Sequence, residues 1–287
     1  MDGPPLRTGW HAFDVDGLKQ SYEVAGNGRV CVVHSGGPGI DSAYLRMPLL
    51  EDRLTMVYLD PIGTGRSGLL PGGEYFMPTY AHYLEAVLEY IGEPRPIVLG
   101  HSHGGMVALE LAMRDPRRLG GLIAYDTAPV FDDALWEEAG RQMSAYAERW
   151  PDRPEAAVAW RAWNGRRDVR TDAASARQWL ADVTPAYFAD YHRVADGSLR
   201  LDLTWDPNRN NGAWSGLGRL GAVDTPTLII CGAFDFVCPP RWSEQMHAGI
   251  TGSVLVELPH SGHFGYQEQP DEFVGAVLDF VGKLGRR

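Results

Sequence analysis

Short apolar runs alternating with amphipathic helical segments predict an α/β protein with a mostly parallel sheet covered by helices on both faces. Between about residue 129 and residue 220 that alternation stops, and helix-compatible segments there carry seven of the nine tryptophans. It then resumes and runs to the last residues. The organisation expected is a discontinuous core, residues 1–128 and 221–287, interrupted by a helical cap or lid, residues 129–220.

The elements follow in order. WHAFDV, LKQSYEVA after the Asp16-Gly17 turn, VCVVH and LTMVYLD read as strands separated by turn residues. Tyr80, Tyr83, Leu84, Val87, Leu88 and Ile91 recur with helical spacing, which predicts a helix from Pro78 to Gly92. The run PIVLGH is the next strand. A helix beginning near Gly105 and carrying Met106, Leu109, Leu111 and Met113 closes before Asp115-Pro116, because the residue preceding proline disfavours helix. GLIAYD is another buried strand. Beyond the insertion come TPTLIICG, the helical RWSEQMHAGI, the strand SVLVELP and a last helix from Pro270 through Val281.

Composition narrows the function. The chain of 287 residues is 44% hydrophobic and 22% charged, globular values that exclude disordered, collagen-like and disulfide-framework proteins. Its net charge of −11 repels a phosphate backbone, so nucleic acid is not expected as a partner. The three cysteines, Cys31, Cys231 and Cys238, are odd in number, and the first two lie in apolar runs, the pattern of reduced buried thiols. The first residues, MDGPPLRTGW, lack the basic and apolar regions of a signal peptide, and no run reaches a membrane-spanning length. A soluble cytoplasmic protein acting on a small molecule, without cofactor or metal, is the expectation.

The chemistry concentrates at Gly100-His101-Ser102-His103-Gly104, a G-x-S-x-G sequence between a strand and a helix. A serine there occupies a strained tight turn that lifts Oγ out of the sheet, and the flanking glycines remove the clashes that side chains would make. A serine hydroxyl needs a base oriented by an acid. Asp235 in CGAFDFVCPP and His263 in PHSGHF both follow apolar strand runs, so they emerge at the same carboxyl edge as Ser102. His260 competes with His263 but abuts Pro259, whereas Gly262 gives His263 a flexible approach. Asp126 in AYDTAP also ends a strand and competes with Asp235. His101 and His103 form an H-x-H pair, but a zinc site needs a third ligand and the turn already accounts for this neighbourhood.

An oxyanion needs backbone donors. The His103 N–H is one; the second comes from the loop His34-Ser35-Gly36-Gly37-Pro38-Gly39, with Gly37 preferred and Gly36 second. The loop Asp60-Pro61-Ile62-Gly63-Thr64-Gly65-Arg66-Ser67 lacks the G-K-[ST] ending of a phosphate cradle. It is expected to brace the serine turn from below, with Asp60 and Arg66 as polar partners.

Together these stretches resemble the α/β-hydrolase superfamily, and within it the branch of proline iminopeptidases, whose members show an HGGPG loop, a DQRGxGxS loop and a GGSWG turn. The resemblance covers the chain from about Trp10 to the last helix and implies an eight-stranded sheet. Ser35 stands in place of the loop histidine, Pro61-Ile62 in place of Gln-Arg, and His103 in place of the Trp after the nucleophile. No acidic cluster for a substrate amino terminus stands out in the insertion, where Glu137, Glu138, Glu148, Glu155 and Asp190 are interleaved with arginines. The reading is a serine hydrolase of a carboxylic ester or lactone, bulky and apolar as a macrocyclic lactone is, with Trp136, Trp163 and Trp179 as candidate lining residues. Ordinary packing of a small helical unit explains the same tryptophans. A proline-releasing aminopeptidase and a non-catalytic binding protein on the same fold are the alternatives.

Overall fold

A computed structural model describes residues 6–165, 170–194 and 199–285. Residues 1–5 and 286–287 of the predicted core, and 166–169 and 195–198 of the predicted insertion, lie outside the described residues. The chain opens with the hairpin β1 (Gly9–Val15) and β2 (Leu18–Gly26), which turns on Asp16 and Gly17 at φ 52° and 77°. β3 (Arg29–His34), the short helix α1 (Pro48–Glu51) and β4 (Leu54–Asp60) follow. The long helix α2 (Met77–Ile91) matches the predicted apolar face: Tyr80, Tyr83, Leu84, Val87, Leu88 and Ile91 are all buried.

β5 (Ile97–His101), α3 (His103–Arg114) and β6 (Gly121–Tyr125) form the centre. After the insertion come β9 (Thr227–Gly232), β10 (Val254–Leu258) and the closing helix α10 (Pro270–Leu284). Eight strands join in the order β1-β2-β4-β3-β5-β6-β9-β10. β1 with β2 and β2 with β4 are antiparallel, and the other pairs are parallel. Every residue of β4, β5, β6 and β9 is buried, as strands with helices on both faces require. β10 departs from the expectation of full cover. It is the edge strand, and Val254 is 45% exposed.

The insertion begins at the two-residue strand β7 (Val130–Phe131), which pairs with β8 (Trp214–Ser215) and so draws its two ends together. Between them lie α4 (Asp133–Arg149), α5 (Pro154–Asn164), α6 (Ala173–Val183) and α7 (Tyr191–Val194). Asp132 caps α4 by accepting from the Ala134 N–H, and Asp172 with Ser175 forms a capping box on α6. Trp179 Nε1 donates to the Ala162 carbonyl at 2.9 Å, holding α6 against α5. Glu138 on α4 accepts from Arg241 at 2.7 Å, on the core helix α8 (Pro240–Gly249). The three cysteines are free and buried, and among the described residues no helix is long and apolar enough to cross a membrane.

Candidate active site

Ser102 sits between β5 and α3 at φ 54°, ψ −123°, a conformation that costs energy in any residue with a side chain. The surroundings over-determine it. Ser102 N donates to the Tyr125 carbonyl at 3.0 Å, and Thr127 Oγ1 donates to the Ser102 carbonyl at 2.6 Å. A Cβ on Gly100 would stand 2.4 Å from the Gly104 carbonyl oxygen, and one on Gly104 would stand 2.3 Å from that of His34. Both glycines are therefore required by backbone approach. The helix begins at His103, two residues earlier than its sequence pattern suggests, because glycines at 104 and 105 hide the start of the apolar periodicity.

Asp235 and His263 meet. The ring Nδ1 of His263 lies 2.7 Å from Asp235 Oδ2, while Asp235 Oδ1 accepts from the Val237 and Cys238 N–H groups at 2.9 and 3.0 Å. The carboxyl group is thus held through both oxygens in the protein interior, 1% exposed. His263 N donates to the Tyr187 carbonyl at 2.6 Å, so the insertion positions the histidine loop. His260 is exposed, and its backbone N–H donates to Gln269 Oε1 at 2.7 Å.

Asp126, the competing carboxyl, is fully buried at φ 42°, and its Oδ1 accepts from the Gly232 N–H at 2.7 Å. Burial, with the Asp235 charge adding to it, pushes its pKa well above the usual carboxylate range. It serves as a tie between β6 and β9. His101, Asp126 and His263 lie close enough to share a metal ion, as do Asp235, Cys238 and His263. His103 belongs to neither group, so the H-x-H pair does not converge.

The glycine loop holds a correction. Gly36 N–H donates to Tyr44 Oη at 2.8 Å, so the second-choice oxyanion donor is already occupied. Gly37 at φ 120° and His103, whose N–H opens helix α3 where no intrahelical acceptor exists, both line the cavity with Ser102. Ser35, in the slot of the family histidine, closes the loop by donating to the Ile40 carbonyl at 2.8 Å. Asp60 accepts from Ser42 and from the Arg66 backbone N–H; the Arg66 guanidinium instead stacks on Trp10 at 3.8 Å. Asp60 thus pairs with Arg66 through the loop backbone, and the Arg66 side chain turns to Trp10.

Three residues of this site carry no sequence motif: Tyr44, Tyr187 and Glu268. Tyr44 lies in a 3₁₀ turn and Tyr187 in the insertion, so only chain reversal brings them to the serine. Glu268, in α9 (Gly265–Glu268), accepts from Gly262 and Ala189 N–H groups at 2.6 and 2.7 Å, joining the histidine loop to the insertion.

Ser102, His263, Gly37 and His103 share one cavity of about 620 Å³. Its wall includes Phe131, Trp136, Trp163 and Trp179, whose rings follow one another at centroid distances of 5.5, 6.2 and 6.1 Å. Trp163 is 1% exposed and also belongs to the core cluster, so packing and cavity lining are one arrangement.

Residues 29–270 match the family model of the alpha/beta hydrolase fold. The chain belongs to the α/β-hydrolase family. A Variovorax paradoxus protein named as a carbamate hydrolase, RutD, is 28% identical over 279 residues, covering 92% of this chain and 96% of its own length. A proline iminopeptidase of Thermoplasma volcanium is 27% identical over 267 residues, with 86% and 87% covered, in keeping with the branch that the glycine loop resembles. The enol-lactonase of Burkholderia xenovorans LB400 superposes with a TM-score of 0.70 at 18% identity, over 95% of this α/β-hydrolase and 100% of that chain, a likeness of fold.

Proposed function

We propose that this α/β-hydrolase is a serine hydrolase that cleaves a carboxylic ester or lactone of a bulky small molecule, with residues 129–220 as its cap. The observation that carries the reading is the Asp235–His263 contact of 2.7 Å at the cavity that holds Ser102 on its strained turn. Asp235 keeps the proton on His263 Nδ1, which leaves Nε2 as the base. Nε2 takes the Ser102 proton as Oγ attacks the acyl carbon; the N–H groups of Gly37 and His103 receive the oxyanion. The alkoxide leaves with the proton from His263, and water activated by the same nitrogen releases the acid. The three adjoining tryptophans and Phe131 favour an apolar body on the substrate.

The relatives include proline iminopeptidases, so release of an amino-terminal residue is the competing reading. The charges of the cavity disfavour it. Its described lining carries Arg170 and Arg209, and its one carboxylate, Asp206, already accepts from Tyr75 Oη–H and the Asn208 N–H. The described lining thus sets two guanidinium groups against one carboxylate, a balance that favours an anionic or neutral substrate over an α-ammonium group.

Initial rates with a short-chain p-nitrophenyl ester and with proline p-nitroanilide, for wild type and Ser102→Ala, test the reading. Ser102-dependent ester cleavage without anilide cleavage supports it. Faster anilide turnover moves the aminopeptidase to first place, and absence of Ser102-dependent turnover on both favours a binding protein.

A further inference from the structure

Beyond the aromatic stack, the cavity lining includes Arg209, His103 and Asn211. Arg209 lies over the Tyr75 ring at 4.2 Å, and it donates from Nη1 to Tyr80 Oη at 2.8 Å and from Nη2 to the Gly63 carbonyl at 2.6 Å. These bonds fix the guanidinium and engage two of its five N–H donors. No carboxylate lies within ion-pair distance of it among the described residues. Asp206, its acidic neighbour along the chain, is committed to Tyr75 and Asn208.

His103 adds a second signal. The imidazole is 2% exposed, packed edge-on against Tyr80 at 4.7 Å and Phe131 at 5.5 Å, and its Nε2 has no hydrogen-bond partner among the described residues. Burial, then the charges of His34 and Arg209, lower its pKa to about 3, so the ring is neutral and offers one N–H. Buried polar atoms of native proteins are nearly always paired, which makes an unpaired one at a cavity wall a candidate ligand contact. The remaining guanidinium N–H groups and the imidazole N–H make this region rich in donors and cationic. The complement is a planar, acceptor-rich monoanion.

We propose that Arg209 and His103 form a carboxylate subsite, so that the substrate of the ester or lactone cleavage carries a carboxylate remote from its scissile acyl group. The proposal rests on the hydrolase reading above and sharpens its substrate class to an amphiphilic acid. The chain as a whole is acidic, at −11, so a cationic group placed in the cavity runs against the field of the molecule and gives selectivity for an anion at that one point.

Two matched esters test it: p-nitrophenyl hexanoate and the mono-p-nitrophenyl ester of adipic acid, which adds a terminal carboxylate to the same chain. The wild type is expected to favour the charged ester in kcat/KM by about tenfold or more, and Arg209→Gln to reduce that ratio by about tenfold. Asn211→Asp leaves the Tyr80 and Gly63 braces in place and adds a negative charge to the cavity wall two positions from Arg209, so it is expected to reduce the ratio as well, which keeps the test open if Arg209→Gln fails to fold. Cleavage of both esters without preference for the charged one, or a preference untouched by either variant, overturns the subsite and leaves the hydrolase reading standing. Calorimetric titration of Ser102→Ala with adipate and with hexanoate separates the two ideas. Arg209-dependent, tighter binding of adipate in a protein that cleaves neither ester supports the subsite while the hydrolase reading fails, and equal binding of the two acids overturns the subsite.

Discussion

His101 Nε2 donates to the backbone carbonyl of His263 at 2.9 Å across 162 residues of sequence. Burial lowers the His101 pKa well below the usual imidazole value, and His263 adds to this, so the ring is neutral with Nδ1 as acceptor. Tyr44 Oη–H supplies that hydrogen bond at 2.7 Å, and the same oxygen accepts from the Gly36 N–H. A continuous bridge thus runs from the glycine loop through Tyr44 and His101 to the backbone of the proposed base. Tyr44→Phe leaves Gly36 N–H and His101 Nδ1 buried without partners. Urea unfolding is expected to show a loss of about 1–3 kcal/mol, and steady-state kinetics a kcat lower by about tenfold with little change in KM. A stability loss with kcat intact would make the bridge purely architectural.

Asp126 and Asp235 are separated by their partners. His263 Nδ1 pairs with Asp235, whereas Asp126 ties to Gly232, so Asp126→Asn leaves the base in place and retains the Gly232 bond through Oδ1. Activity within about an order of magnitude of wild type is expected. Asp235→Asn removes the acceptor that fixes the His263 tautomer and is expected to lower kcat by about 10⁴. Comparable losses in the two variants would contradict the assignment of the acid.

The serine turn tolerates no side chain at position 104. A Cβ there meets the carbonyl oxygens of His34 at 2.3 Å and Ser35 at 2.6 Å, so Gly104→Ala must push α3 away from the glycine loop. A loss of about 3 kcal/mol is expected in equilibrium unfolding. Gly72→Ala, with nothing within 4 Å of the added carbon, is the control and should unfold like wild type.

Glu268 gives the stability a pH signature. Burial raises its pKa from 4.5 to about 7, against hydrogen bonds from Gly262, Ala189 and Asp190 and with the Asp235 charge adding to the rise. Between those two values the native protein holds a proton that the unfolded chain has released. This group therefore makes stability fall as pH rises through that window, with the full loss reached above about 7. Glu268→Gln abolishes the contribution. The unfolding free energy of wild type minus that of the variant should decline from about pH 4.5 to about pH 7 and then level off; a flat difference would contradict the assignment.

Local rules carried much of this protein. Alternating apolar runs and helical spacing determined the α/β core because strands covered on both faces must be apolar throughout, and Gly100 and Gly104 marked the turn because only glycine permits the backbone approach seen there. Asp235 and His263 were legible because each follows a strand run, and strand ends share one edge of a parallel sheet. What the tertiary structure alone decided concerns contacts between distant segments. Tyr44 captures Gly36 N–H, which removes that donor; Asp60 takes the Arg66 backbone rather than its side chain; and Arg209 reaches the cavity 107 positions after Ser102. No local pattern encodes such meetings, because hydrogen-bond partners and uncompensated charges are set by which surfaces the folded chain presses together.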